Sequence, residues 1–208
     1  MPTRKIDNVI FDLGGVLVDW NPEYLYYDFF KQDREKMNWF LENVCTNDWN
    51  MEQDAGRSLN EATQILLDKF PEHQEAIRAF YDRWEEMLKG SIKGTELILN
   101  ELHTLSEKKL YALTNWSAET FPIAQKHFSF LNLFEGIVVS GEEHTRKPFD
   151  KIYQILLDRY DLIAKRSVFI DDNNDNIRAA QRMGFYAVHF KSPEQLRSEL
   201  TELNVLNP

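Results

Sequence analysis

Along the chain, short apolar runs alternate with apolar stripes at helical spacing. Val9, Ile10 and Phe11 form an unbroken run, the pattern of a strand buried on both faces of a parallel sheet. Runs at 110–113, 136–140, 167–170 and 186–190 read as four further strands. Between them the period changes. Residues 96–105 carry an amphipathic helix pattern, and Pro148 opens a second helix through Ile152, Ile155, Leu156 and Tyr160. A third, over 177–183, is stopped by Gly184. Ser117 reads as an N-cap, with Ala118 and Glu119 in the first turn of another helix. Five strands alternating with helices predict an α/β fold, a doubly wound and mainly parallel five-stranded sheet.

One segment interrupts this alternation. Asn21-Pro22-Glu23 is a helix start, and from Tyr24 to Met87 only helical spacing is visible. Met37, Phe40, Leu41 and Val44 form one stripe; Ile65, Leu66 and Phe70 another; Phe80, Trp84, Met87 and Leu88 a third. Asp54-Ala55-Gly56-Arg57-Ser58 is a break, and Asn60-Glu61 starts the next helix. Residues 20–90 are therefore expected to form a helical insertion, and residues 1–19 and 91–208 the α/β domain.

Composition narrows the function classes. A net charge of −10 over 208 residues argues against a nucleic-acid-binding surface, which needs clustered Lys and Arg. It leaves room for a small phosphorylated metabolite held by a local cation. Cys45 is the single cysteine, so no intrachain disulfide is expected and a reducing, cytoplasmic setting is. No apolar run approaches the roughly 20 residues of a membrane span. The first strand starts close to the N-terminus, leaving no room for a signal peptide. Monomer and dimer both remain open.

The chemistry is expected at the strand ends. Asp12 follows the first run directly, and Gly14-Gly15 then turns the chain. Such an acid is either an active-site group or a carboxylate capping the turn. Thr114-Asn115 and Asp171-Asp172 end two other runs, and Lys147 precedes the Pro that starts a helix. Parallel strands bring these ends to one sheet edge, where ligands bind in open α/β sheets. Converging carboxylates repel unless a cation sits among them, and Mg²⁺ with oxygen ligands suits such a site. A metal, a lysine, a hydroxyl and backbone amides would cradle a phosphoryl group, leaving Asp12 free to attack as a nucleophile.

Taken in order, Phe11-Asp12-Leu13-Gly14-Gly15-Val16-Leu17, Thr114, Lys147-Pro148 and Phe169-Ile170-Asp171-Asp172 closely resemble the motifs of the haloacid dehalogenase-like hydrolase superfamily. The helical insertion resembles that superfamily's small cap, so the likeness covers nearly the whole chain. The resemblance implies Asp12 as the nucleophile forming an aspartyl-phosphate, Thr114 as a hydrogen-bond donor to the phosphoryl group, and Lys147 as the charge that offsets both. It implies Mg²⁺ on Asp12, Asp172 and the Gly14 carbonyl, with Asp171 in the first or second ligand layer. Asn115 would shape the phosphate loop, and Trp116 would line a pocket facing the cap. Asp19 and Trp20, where core passes into cap, would touch substrate or act in a hinge. Read from their place in the chain, Asp175 and Asn176 either position Lys147 or cap the following helix, with Asn176 the one for the first role.

Position 14 departs from the superfamily pattern. Its phosphatases usually carry there the aspartate that protonates the leaving group, a role worth roughly 10²–10⁴-fold in rate; here it is Gly14. Gly at that site with Asp171-Asp172-Asn173-Asn174-Asp175-Asn176 later resembles a subgroup that includes sugar-1-phosphate phosphatases, whose anomeric oxygen leaves easily. The expected activity is a Mg²⁺-dependent phosphatase of small phosphorylated metabolites. Two alternatives stand beside it: a 2-haloacid dehalogenase using Asp12 without metal, and a non-catalytic phosphometabolite-binding protein.

Overall fold

In the computed structural model the described residues are 5–207; residues 1–4 and 208, at the ends of the expected α/β domain, lie outside them. Strand β1 (Asn8–Phe11) is fully buried. Its neighbours are β4 (Lys109–Thr114) and β6 (Ser167–Asp171), with β5 (Gly136–Val139) beyond β4 and β7 (Tyr186–His189) beyond β6. All four pairings are parallel. The order β5-β4-β1-β6-β7 makes β1 the central strand and sets the carboxyl ends of β4, β1 and β6 side by side.

The two-residue period of a strand explains the two cores. Val9 and Phe11 face one layer with Leu110, Ala112, Val168 and Ile170. Helices α6 (Lys93–Leu105) and α11 (Pro193–Glu202) cover that face through Ile98, Leu99, Leu102, Leu196 and Leu200. Ile10, Tyr111, Leu113 and Phe169 face the other way. There they meet Ile152, Tyr153 and Leu156 of α9 (Asp150–Tyr160) and Ile177 of α10 (Asn174–Arg182). Burial of both faces is why these strands read as unbroken apolar runs.

Between the first and second of these parallel strands the chain makes a separate layer. β2 (Val18–Trp20) and β3 (Leu88–Ser91) pair antiparallel at its entry and exit. Five α-helices lie between them: α1 (Glu23–Phe29), α2 (Arg34–Asn43), α3 (Asn47–Asp54), α4 (Leu59–Lys69) and α5 (Gln74–Asp82). Side-chain caps start three of them, as Asp33, Thr46 and Ser58 each accept a hydrogen bond from a first-turn amide. The core of this layer is aromatic: Tyr26, Phe40, Trp49 and Phe80 pack with ring centroids 5.0–6.2 Å apart. The Tyr26 hydroxyl donates to the Ala76 carbonyl. Truncating Phe80, which is buried, to Ala would cost about 3–5 kcal/mol.

The structure corrects several local expectations. Leu88 opens β3 instead of continuing a helical stripe. The helix expected from Asn60-Glu61 begins at Leu59 behind the Ser58 cap. Ser117 does not cap a helix: its hydroxyl accepts from the Glu119 amide in a turn, and α7 (Phe121–His127) starts three residues after that turn's Ala118. The strand expected over 136–140 stops at Val139, and Ser140 opens a short helix, α8 (Ser140–Glu143); the helix after Lys147 begins at Asp150, two residues beyond Pro148. Cys45 is buried and free. No helix of the described residues is long and apolar enough to cross a membrane.

Candidate active site

The register places the chemistry. Asp12 follows β1 and stays in the sheet's hydrogen bonding, its amide donating to the Ile170 carbonyl of β6. Asp171 ends β6 and Thr114 ends β4. Three side chains far apart in sequence thus stand on adjacent strand ends.

Lys147 joins them. Its ammonium is fully buried and lies 2.8 Å from Asp12 Oδ2 and 2.7 Å from Asp171 Oδ2. Burial alone would lower its pKa, but the two carboxylates more than offset this and hold the lysine charged. Asp171 is completely buried and saturated with donors. Besides Lys147 it accepts from the Asn173 amide at 2.8 Å and from Asn176 Nδ2 at 3.0 and 3.1 Å. Asn176 therefore acts on Lys147 through Asp171.

Asp12 and Asp172 are less well compensated. Burial pushes the Asp12 carboxyl well up; Lys147 opposes this, while Asp171 and Asp172 add to it. Burial and the charge of Asp171 also raise Asp172, against the pull of Lys147. One carboxylate oxygen each from Asp12, Asp171 and Asp172 falls within 4.8 Å of the others. Such a cluster of hard oxygens suits a hard divalent cation. The turn after β1 is shaped around it. Gly15 has φ +72°, a conformation that favours glycine, and a Cβ there would come within 2.3 Å of Asp172 Oδ2 and push that carboxylate aside. Gly14 differs, because a Cβ at that position would meet nothing within 4 Å.

Thr114 is buried, and its Oγ1 has no partner among the described residues. An unsatisfied buried hydroxyl costs about 1–3 kcal/mol, so one at the end of β4 beside this cluster suits a ligand that supplies an acceptor. The same holds for the indole N–H groups of Trp20 and Trp116, which are also buried without partners. Both tryptophans line a cleft above Gly14, together with Asn115 and Ser117 from the sheet edge and Asp54 and Trp84 from the helical layer. Its volume is about 80 Å³, below the roughly 300–1,000 Å³ of pockets that enclose a drug-sized ligand. The Trp84 and Trp116 rings meet edge to face at 5.7 Å across the two layers.

The remaining expected residues sort by position. Asn115 lines the cleft, but its amide is bonded to the Lys147 backbone, accepting from its N–H at 2.8 Å and donating to its C=O at 3.0 Å. Asp19 sits on β2 and accepts from the Tyr24 hydroxyl at 2.8 Å, and it is not among the residues lining the cleft. Sequence reading placed Trp84 in an apolar stripe and Asp54 in a helix break and assigned neither of them, nor Asn50 or Tyr81, to the site, although the helical layer contributes all four. Asp54 carried one signal. It is the last residue of α3, an end where a negative charge opposes the helix dipole.

The comparisons agree with this fold. Residues 9–189 match the family described as haloacid dehalogenase-like hydrolase. A sesquiterpene phosphatase of Aspergillus oryzae is 27% identical over 195 residues, covering 93% of this chain and 94% of its own. A phosphorylated carbohydrates phosphatase of Thermotoga maritima is 24% identical over 190 residues, covering 88% and 84%. Among solved structures, the HAD-family enzyme BT-2542 of Bacteroides thetaiotaomicron, in complex with magnesium and inorganic phosphate, superposes with a TM-score of 0.69 at 22% identity. That match covers 90% of this chain and 95% of the enzyme and shows a shared fold.

Proposed function

The chain belongs to the haloacid dehalogenase-like hydrolases, and from that premise we propose that it is a Mg²⁺-dependent phosphatase of small phosphorylated metabolites. The two relatives described above are named as phosphatases. The observation that carries the reading is the buried Lys147 bridging Asp12 and Asp171, with Asp172 completing the carboxylate cluster. A metal-free dehalogenase has no use for that third carboxylate.

Asp12 is the nucleophile. One of its oxygens attacks phosphorus in line, and the ester oxygen departs as the aspartyl-phosphate forms. Water then attacks the same phosphorus, freeing inorganic phosphate and restoring Asp12. Lys147 lowers the repulsion between the Asp12 carboxylate and an anionic phosphoryl group. The unpartnered Thr114 hydroxyl donates to a phosphoryl oxygen. Asp12, Asp172 and the Gly14 carbonyl would hold Mg²⁺, which when bound neutralises phosphoryl charge. Asp171, with both oxygens already bonded, orients Lys147 from behind. Residues 20–90 serve as the cap, and the organic part of the substrate lies against Trp20, Trp84 and Trp116. The two unpartnered indole N–H donors beside this cleft suit a substrate rich in oxygen acceptors, such as a phosphorylated sugar. The single cysteine accords with a cytoplasmic location.

Phosphate release from aryl, anomeric and primary alkyl phosphates, measured with Mg²⁺ and with EDTA, tests the reading. Metal-dependent release is expected. Silence across the panel would overturn it, and halide release from 2-chloropropionate in EDTA would favour the dehalogenase.

A further inference from the structure

A phosphatase with glycine at position 14 lacks the usual proton donor, and the cleft above Gly14 contains a carboxyl from the helical layer. Among the residues lining that cleft Asp54 is the one acid. It enters from the helical layer, opposite the strand ends, and reaches the loop after β4, where its carboxylate interacts with the Ser117 amide. Two contacts across the layers fix the turn that carries it. Gly56 packs so closely on His144 that a Cβ would come within 2.2 Å of the ring, and the Leu59 amide donates to Glu119 at 2.8 Å. Asp54 is therefore held against the loop after β4, lining the same cleft as Gly14.

Resting on the phosphatase reading, we propose that Asp54 is the general acid and base of the reaction, replacing the carboxyl that Gly14 lacks. As Asp12 attacks and the bond from phosphorus to the ester oxygen breaks, that oxygen takes the Asp54 proton and leaves as the neutral alcohol. The Asp54 carboxylate then accepts a proton from the water that attacks the aspartyl-phosphate. This regenerates the acid as phosphate departs.

The surroundings suit a proton carrier. Burial pushes Asp54 up to about 7, against the pull of Arg146, Lys147 and the Ser117 amide. An acid poised there is part-protonated at neutral pH and can both give and take a proton. Tyr81 faces it from α5 and feels its charge. His144 lies against Gly56, and Arg57 is engaged by Gln53 and the Trp49 carbonyl.

Asp54→Asn preserves shape and removes the proton, and Asp54→Glu keeps the acid on a longer arm. The test measures kcat/KM of wild type and both variants on p-nitrophenyl phosphate and on a primary alkyl phosphate, with Mg²⁺. A nitrophenolate needs no proton to leave, whereas an alkoxide does. Asp54→Asn is expected to lose about 10²–10⁴-fold on the alkyl ester and less than tenfold on the aryl ester. Asp54→Glu is expected to recover part of the alkyl rate. With the aryl ester, Asp54→Asn should show a burst of nitrophenol equal to the enzyme concentration, followed by slow turnover as water attacks without its base. Equal losses on both esters, or an unchanged alkyl rate, would overturn the assignment while leaving the phosphatase reading intact. A wild type silent on every ester would overturn both.

Discussion

Asn115 grips the backbone of Lys147 on both sides, accepting from its N–H at 2.8 Å and donating to its C=O at 3.0 Å. The residue after the β4 strand end thereby fixes the height at which the lysine enters the cluster. Thr114, at the end of β4, and Lys147, bonded to Asp12, are thereby linked through a single amide. Asn115→Ala removes two hydrogen bonds worth about 0.5–1.5 kcal/mol each. We expect a loss of about 1–3 kcal/mol in denaturant unfolding, with a fall in kcat larger than any rise in KM. Unchanged kcat would show that Lys147 is held without this clamp.

Asp12→Asn should abolish turnover and leave the fold intact. The change preserves volume and removes a charge that burial and two neighbouring carboxylates already disfavour. Thermal unfolding of the variant is expected at or above the wild-type temperature in the absence of Mg²⁺. Wild-type rates in Asp12→Asn would sink the covalent mechanism.

Mg²⁺ should stabilise the chain most at high pH. Asp12 and Asp172 both have raised pKa values, chiefly from burial. The stability they contribute is present at low pH, where both states are protonated, and is lost as pH rises through the folded-state values. A cation binds the ionised carboxylates and offsets the loss, so its gain in Tm is expected to be larger at pH 8 than at pH 5.5. Asp172→Asn should remove most of that gain, and a gain independent of pH would place the ion elsewhere.

Much of this site was visible in the sequence because each part follows a strand that is buried on both faces. The apolar runs ending at Phe11, Leu113 and Ile170 cannot be solvated, so the polar residues just after them had to lie at the sheet edge. The short antiparallel pair was not visible. Val18–Trp20 and Leu88–Ser91 are too short, and too mixed with Asp19, Lys89 and Gly90, to show a period. Ser117 has a capping side chain but caps only a turn, since local chemistry cannot tell a turn from a helix start. Asp54, Tyr81 and Trp84 reach the cleft through packing of the helical layer over the sheet, and no spacing in the chain encodes that meeting.

Asp54 gives the molecule a stability signature independent of catalysis. Its carboxyl is raised to about 7 by burial. Between the ordinary carboxylate value and about 7 the folded chain alone keeps the proton, so stability declines as pH rises through this window. Asparagine cannot ionise and escapes the decline. Asp54→Asn is expected to match wild type in Tm near pH 4 and to exceed it increasingly up to pH 8. A constant difference across that range would show that Asp54 is not held in a desolvated position.

The open space at Gly14 allows the proton donor to be moved back. A Cβ there meets nothing within 4 Å, in contrast to Gly15, so Gly14→Asp should fold without displacing its neighbours. The new carboxyl would stand two residues after the nucleophile, facing the cleft from the floor as Asp54 does from the roof. In the wild-type background Gly14→Asp is expected to raise kcat/KM more for alkyl than for aryl phosphates, because only the alkyl leaving group needs a proton. In the Asp54→Asn background the gain on alkyl esters should be larger, since the variant has no other donor to share the work. Double-mutant coupling of this kind separates replacement of one function from two unrelated effects, which would simply add. Equal gains in both backgrounds would show that the two positions serve different ends, and equal gains on both esters that position 14 does not act as an acid.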